Sequence, residues 1–284
     1  MTIGKDILIA DAGGTSTRWC LLGNDGTLIR DLNAAPINAC VLSDYEINAA
    51  LRQIDVLLES AHVLHFYGAG CGNEKECNRI IKQLRGIGYF GELHIHSDLM
   101  GAARALLGHN AGIACIIGTG SNSCLYDGEK IVENIPPLGY ILGDEGSGTA
   151  IGKRFLKKLI RGDLPGAVTE KFFASNGWKV SDIYEKVYRE PRANKYLASF
   201  ANFVYENIST PQVRAVVEDE FDTFFRDIIC RYNNATKLPV SCIGSVAYYF
   251  DQSLRASASR HNLVIDRIER SPVQGLIKFH SPVK

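Results

Sequence analysis

The sequence predicts an α/β protein built as two related domains, and three observations carry that reading. The opening apolar run "ILIADAGGTSTRWCLLG" (residues 7–23) stops at an aspartate, two glycines and hydroxyl residues, then resumes as alternation. Strand-like and helix-like patterns alternate after it. The opening pattern then returns as "AGIACIIGTGSNSCLYDGEK", again an apolar run, a glycine and hydroxyl hinge, a second run and a turn.

Each element follows from local chemistry. Residues 6–10, 16–23 and 26–32 read as three short β runs, joined by "DAGGT" and by "GNDG", whose Asn-Asp-Gly composition suits a tight hairpin. In "SDYEINAALRQIDVLLES", Ser43 or Asp44 can cap a helix whose apolar positions are Ile47, Leu51, Ile54 and Leu58. Strand "VLHFYGA", helix "NEKECNRIIKQLRG", strand "ELHIH" and helix "DLMGAARALLG" complete the first domain. After the restart, residues 146–237 read as mainly helical. There Val213, Val216, Val217, Phe224, Phe225 and Ile228 share one apolar face, and "FANFVY" reads as core. Strand "LPVSCIG" and a helix over about 246–258 follow, then "RSPVQGLIKFH". The expected domains are 1–107 and 108–270, the second with a helical insertion, and the segment from about 271 to 284 is expected to pack back on the first.

Composition removes several function classes. The 284 residues are 46% hydrophobic and 22% charged, and 31 Lys plus Arg balance 31 Asp plus Glu. No general field would attract nucleic acid or an anionic membrane. No apolar run approaches the roughly 20 residues of a membrane span. "MTIGKDILIA" is too short and mixed for a secretory signal, so the expected address is the cytoplasm. The eight cysteines lack CxxC pairs and read as small buried hydrophobes in a reducing compartment. Cys71 and Cys77 flank "GNEKE" and could ligate a metal. His94 and His96 share a strand face and could hold zinc with a third ligand, or simply pack.

The two hinges carry the chemistry. Glycine tolerates positive φ and lets backbone approach a ligand closely, so "DAGGT" can turn N–H groups toward oxyanions. Thr15, Ser16 and Thr17 add hydroxyl donors, and Asp11, at a strand end, could hold a hydrated Mg²⁺ beside phosphates. "GTGSNS" (118–123) offers the same inventory. Either hinge alone can be a plain hairpin turn; neither is a Walker A loop or a GxGxxG dinucleotide site. Asp98 follows "ELHIH" at the start of a helix, where it can be a cap or a base. Asp144 and Glu145 precede the helix "TAIGKRFLKKLIRG"; they can complement its N-terminus or fix sugar hydroxyls.

The ordered segments "DAGGTSTRW", "PINACVLS", "SDLMGAARA", "IIGTGSN", "PPLGYILGDEGSG" and "LPVSCIGSVA" resemble the actin, Hsp70 and hexokinase ATPase superfamily. Within it they are similar to the N-acetylglucosamine kinases grouped with the BadF/BadG/BcrA/BcrD-type ATPases. The resemblance implies two ribonuclease H-like (actin-like ATPase) domains with an interdomain cleft that closes to exclude water. It implies Asp11 toward Mg²⁺, Gly13, Gly14, Thr15, Thr119 and Gly120 at the phosphates of ATP, and Gly244 and Ser245 at the adenosine end. Asn38, Ser121, Asn122, Leu138, Gly139 and Asp144 match sugar-contacting positions, and Asp98 matches the catalytic base. The activity implied is ATP-dependent phosphorylation of the 6-hydroxyl of N-acetylglucosamine or a related amino sugar by a cytoplasmic homodimer. A single glycine in "PVQGLIKFH", where related chains often carry a small-residue pair, departs from the pattern. Two other readings of the scaffold are an activase coupling ATP hydrolysis to electron transfer, which needs thiolates for an iron–sulfur cluster, and a non-catalytic sugar or nucleotide sensor.

Overall fold

The computed structural model describes residues 5–282, which form two compact units. One comprises the residues up to His109 together with those from Pro272 onward; the other is Asn110–Ser271.

The first unit is built on a five-stranded mixed sheet. β1 (Ile7–Ala12), β2 (Thr17–Leu22) and β3 (Leu28–Ala34) form the antiparallel meander. α1 (Asp44–Leu51), α2 (Asp55–Ser60), β4 (Val63–Gly68), α3 (Glu74–Gly86), β5 (Glu92–Ser97) and α4 (Asp98–Leu107) follow. The strand order is β3-β2-β1-β4-β5, with β4 and β5 parallel to β1. Alternation along β1 sends Leu8 and Ala10 to one face, with Trp19, Ile47, Phe66 and Ile80, and Ile9 to the other, with Cys20, Leu22 and Tyr67. Ser43 closes a capping box with Glu46 at the start of α1. The expected long helix is interrupted by a 3₁₀ turn at Arg52–Ile54, yet Ile47, Leu51, Ile54 and Leu58 all remain buried. Hydrophobic spacing set the buried face there, while the hydrogen-bonding pattern along it changed.

The second unit repeats that topology. β6 (Gly112–Ile117), β7 (Ser121–Tyr126) and β8 (Ile131–Glu133) form its meander. α5 (Gly139–Leu142), α6 (Gly148–Arg161), α7 (Gly166–Asn176), α8 (Val180–Tyr188), α9 (Ala193–Glu206) and α10 (Pro211–Asp227) come next. β9 (Val240–Ile243), α11 (Ser245–Tyr249), α12 (Asp251–Arg260) and β10 (Ile265–Glu269) close the unit. The order β10-β9-β6-β7-β8 mirrors the first sheet strand for strand. β10 is absent from the sequence expectation. Only Ile265 of its five residues is buried, so parallel pairing with β9 makes it a strand where local apolar pattern does not. The core is rich in aromatic rings, with Phe172 edge-on to both Phe155 and Phe203.

The chain returns to the first unit as α13 (Val273–His280), packed on α4. A Cβ at Gly275 would overlap the carbonyl of Ala105, so glycine sets the closeness of these two helices. Under them His65 stacks on both His94 and His280, and the Tyr67 hydroxyl meets His280 Nε2 at 2.7 Å. His94 and His96 are thus packed against rings. Among the described residues no group of three or more His, Cys, Asp or Glu is arranged to hold a metal ion.

Candidate active site

In the first unit, strand register gathers residues far apart in sequence. Asp11 pairs with Tyr67 and Tyr67 with His96; one step on, Ala12 pairs with Gly68 and Gly68 with Ser97. Asp98 is the next residue, so the carboxyl ends of three parallel strands bring it to Asp11 across 87 positions of chain. Ligands of open α/β sheets collect at such ends. The capping role that Asp98 could have played belongs to Ser97, whose Oγ accepts the Met100 N–H at 3.2 Å. Asp98 Oδ1 accepts the Leu99 N–H at 2.9 Å.

Electrostatics single out this pair. Burial pushes the Asp98 carboxyl up to about 6, against the pull of the Leu99 N–H. Asp11 rises to about 6 chiefly through burial and secondly through the negative charge of Asp98, with Arg18 opposing. Arg18 is itself engaged by Asp31 through two hydrogen bonds. Burial thus resists the ionisation of both carboxylates, and the charge of Asp98 resists that of Asp11 as well. A cation or a proton relieves this.

Beyond β1 the chain turns sharply, with the Gly13 N–H donating to Ser16 O at 3.0 Å. Gly14 and Thr15 are exposed at the tip, and a Cβ at Gly14 would meet nothing within 4 Å. Thr17 departs from expectation: it opens β2 fully buried, its hydroxyl enclosed without a partner, so it faces the core. Asn38 is half-buried and tied to the same sheet end. Its Oδ1 accepts the Cys40 N–H, while Ala39 donates to Ala69 O and Ala69 to Ala12 O. Of the cysteines, Cys40 and Cys230 are exposed, contrary to the buried expectation. Cys71 is buried, and its thiol is pushed up to about 12 by burial, with the charges of Cys77 and Asp98 adding to it.

In the second unit the bend between β6 and β7 closes with the Gly118 N–H on Gly120 O. Its carbonyls are taken by the start of α6: Gly148 N–H donates to Gly118 O at 2.8 Å, and both the N–H and Oγ1 of Thr149 donate to Thr119 O. Among the described residues, the N–H groups of Thr119 and Gly120 have no protein acceptor, which leaves two donors at the tip.

Gly120 and Ser121 meet Asp144. A Cβ at Gly120 would lie 3.0 Å from Asp144 Oδ2, the Ser121 N–H reaches Asp144 Oδ1 at 3.5 Å, and Ser121 Oγ donates to Glu145 O. Asp144 holds a left-handed backbone (φ 59°), and burial raises its carboxyl. Leu138 and Gly139 are also left-handed at the head of α5, with the Leu138 side chain exposed. Asn122 is separated from this group. Alternation along β7 turns it to the opposite face from Ser121, where its Oδ1 accepts from Asn134 Nδ2 at 3.0 Å.

A cavity of about 260 Å³ opens beside the bend, lined by Gly118, Thr119, Asn202, Glu206, Ser245 and Tyr249 among others. Gly244, the residue before Ser245, has a backbone open only to glycine (φ 123°), and a Cβ there would overlap the Ile117 carbonyl. Sequence reasoning missed Asn202, Tyr205 and Glu206. By its aromatic content "FANFVY" reads as core, and Phe200 and Val204 are indeed buried, but Ala198, Ala201, Asn202, Tyr205 and Glu206 line the cavity. Their 3,1,3,1 spacing is one helix face, a signal the aromatic content obscures.

No family model matches the chain. A crystal structure of a candidate N-acetylglucosamine kinase from Porphyromonas gingivalis is 38% identical, with a TM-score of 0.92, covering 97% of this chain and 98% of that one. The N-acetylmuramic acid/N-acetylglucosamine kinase of Clostridium acetobutylicum is 24% identical over 220 residues, 70% of each chain. A ROK family glucokinase from Streptomyces griseus, crystallised with glucose and AMPPNP, shares the fold at 12% identity and a TM-score of 0.58, covering 96% of this chain and 97% of that one. With a relative at 38% identity over nearly the whole length of both chains, and with one actin-like ATPase topology repeated in two sheets, this chain belongs to the family of N-acetylglucosamine kinase-like proteins.

Proposed function

We propose that the protein is an ATP-dependent kinase that phosphorylates the 6-hydroxyl of N-acetylglucosamine or a closely related amino sugar. The observation that carries this reading is the placement of Asp11 and Asp98 at the carboxyl ends of β1 and β5, on either side of β4, each with its carboxyl raised to about 6. A general base works best when its pKa lies near the operating pH. Asp98 is ionised at neutral pH yet basic enough to accept the proton of an attacking alcohol. Ser97 caps the helix in its place.

The bend at 118–120 supplies the Thr119 and Gly120 N–H groups to phosphate oxygens; in the first bend the Gly13 N–H is held by Ser16 O, so Gly13 and Gly14 give close backbone approach and Thr15 offers its hydroxyl. Gly244 and Ser245 border the adenosine side, with Asn202 and Glu206 offering polar groups for a ribose. Asp144, Ser121 and Asn38 orient sugar hydroxyls. Asn122, with its side chain engaged by Asn134, contributes through its backbone alone, and Leu138 and Gly139 likewise present backbone. The chemistry of the donor set fits Mg²⁺: Asp11 is an oxygen ligand whose buried charge, set against that of Asp98, a divalent ion would neutralise. When bound, Mg²⁺ offsets negative charge on the phosphates. Positioning and electrostatic stabilisation supply most of the rate in phosphoryl transfer. Proton removal by Asp98 adds about 10²–10⁴-fold.

The test is coupled ADP release measured with N-acetylglucosamine, glucosamine, N-acetylmannosamine, glucose and buffer, for the parent chain and Asp98→Asn. Sugar-dependent turnover that Asp98→Asn nearly abolishes is expected. Vigorous ADP release without sugar would refute the kinase and favour the activase, although the buried Cys71, held as a thiol, is poorly suited to thiolate ligation. Sugar binding without turnover would identify a sensor.

A further inference from the structure

The second unit holds another cavity, about 830 Å³, between α6, α8 and the segment 140–145. Its size falls within the range of small-molecule sites. It shares no residue with the cavity beside Ser245. It takes in Gly143 and Glu145 but not Asp144, whose carboxylate turns toward Gly120. None of the sugar- or phosphate-contacting positions accounts for it.

The lining has two characters. Ile160, Ile183 and Val187 make an apolar floor, and Tyr184 and Tyr188, with ring centroids 6.2 Å apart, make an exposed aromatic wall. The rim is basic: Lys153, Arg154, Lys157 and Arg161 come from α6, against the carboxylates of Glu145 and Glu220. Lys153 donates to the Tyr140 carbonyl, and Arg154 is bound to Glu220 and Asp219. Lys157 and Arg161 lie four positions apart, one turn of helix, and both are exposed. Among the described residues neither has a carboxylate within ion-pair reach. Two unneutralised cations beside an apolar and aromatic trough select for one kind of guest.

We propose that this groove is a second ligand site, and that it takes a small organic anion with an apolar or aromatic body. The body lies on Ile160, Ile183, Val187 and the tyrosine pair; the anionic head, a carboxylate or a phosphate, meets Lys157 and Arg161. Where the kinase reading holds, an occupant touching Tyr140 and Gly143 acts on the segment that carries Leu138, Gly139 and Asp144. The site itself does not depend on that reading.

The probe is 1-anilinonaphthalene-8-sulfonate, an aromatic anion, titrated by fluorescence into the native full-length chain. Saturable binding at one site is expected, unaffected by ATP and displaced by 1-naphthoate or 1-naphthyl phosphate more strongly than by neutral 1-naphthol. Which of the two displaces better names the head group. Each rim cation contributes a modest attraction, so reversing both in Lys157→Glu/Arg161→Glu lowers dye affinity about tenfold. Both side chains are exposed, so an unchanged near-ultraviolet circular dichroism spectrum checks that the fold persists. Val187→Trp, which fills the trough without altering charge, weakens binding independently. Dye binding that ATP abolishes, that 1-naphthol competes as well as the anions, or that both variants leave intact would overturn the proposal. None of these readouts uses turnover, so a failed kinase assay does not touch them.

Discussion

Replacing Asp98 by Asn should destroy activity while making the protein more stable, because the base is held in a place that disfavours its charge. Burial raises its carboxyl from 3.8 to about 6. Ionising it in the native state is therefore disfavoured by at most about 3 kcal/mol. The sign follows from linkage. A folded pKa above the unfolded one gives stability that is present below the unfolded value and lost as pH rises through the folded one. Asn never bears the charge, and its Oδ1 keeps the acceptor for the Leu99 N–H. In metal-free buffer, urea unfolding should then show Asp98→Asn about as stable as the parent near pH 4 and about 1–3 kcal/mol more stable near pH 7. Under the same neutral conditions with Mg²⁺, kcat for the sugar should fall about 10²–10⁴-fold. A variant less stable than the parent at neutral pH, or one that keeps kcat within roughly tenfold, would refute the reasoning.

Three further outcomes are expected. Asp144→Asn, which tolerates the left-handed backbone at this position, should raise the sugar KM by about 10-fold or more through loss of a charge-assisted hydrogen bond, with the ATP KM little changed in steady-state assays. Gly244→Ala places a Cβ against the Ile117 carbonyl at φ 123°; it should lower stability by about 1–3 kcal/mol in urea titrations and raise the ATP KM more than the sugar KM. His96 and His280 are held down to about 4 by burial first and by the positive charge of Arg104 next. Their folded pKa lies below the unfolded value of 6.5, so their contribution is lost as pH falls through the window from about 6.5 to 4, by about 2 kcal/mol for one ring near pH 5. Asp11 and Asp98 act in the opposite direction over that window, so the comparison is with His280→Gln, whose stability should fall less steeply on acidification; an equal or steeper fall counts against the histidine assignment.

Much of the fold was legible because it is written in local pattern. The β1–β2 and β6–β7 hairpins announce themselves by apolar runs broken at glycine and hydroxyl residues, and the caps Ser43 and Asn73 stand at the expected helix starts. β10 was not legible, because a polar edge strand owes its conformation to the neighbour it pairs with. The part played by α9 in a cavity was hidden for a related reason: its aromatic residues pack the core while its polar ones, on another face, line the space.

By itself, then, the sequence determined which segments are strands, bends and capped helices, since hydrophobic period and turn chemistry act over a few residues. Only the tertiary structure decided which side chains meet. The parallel register of β1, β4 and β5 carries Asp98 to Asp11, the pleat of β7 turns Asn122 away from Ser121, and Thr17 faces the core from a bend that reads as polar. The raised carboxyls arise at that level too, because desolvation depends on everything packed around a charge, and nothing adjacent in the chain specifies it.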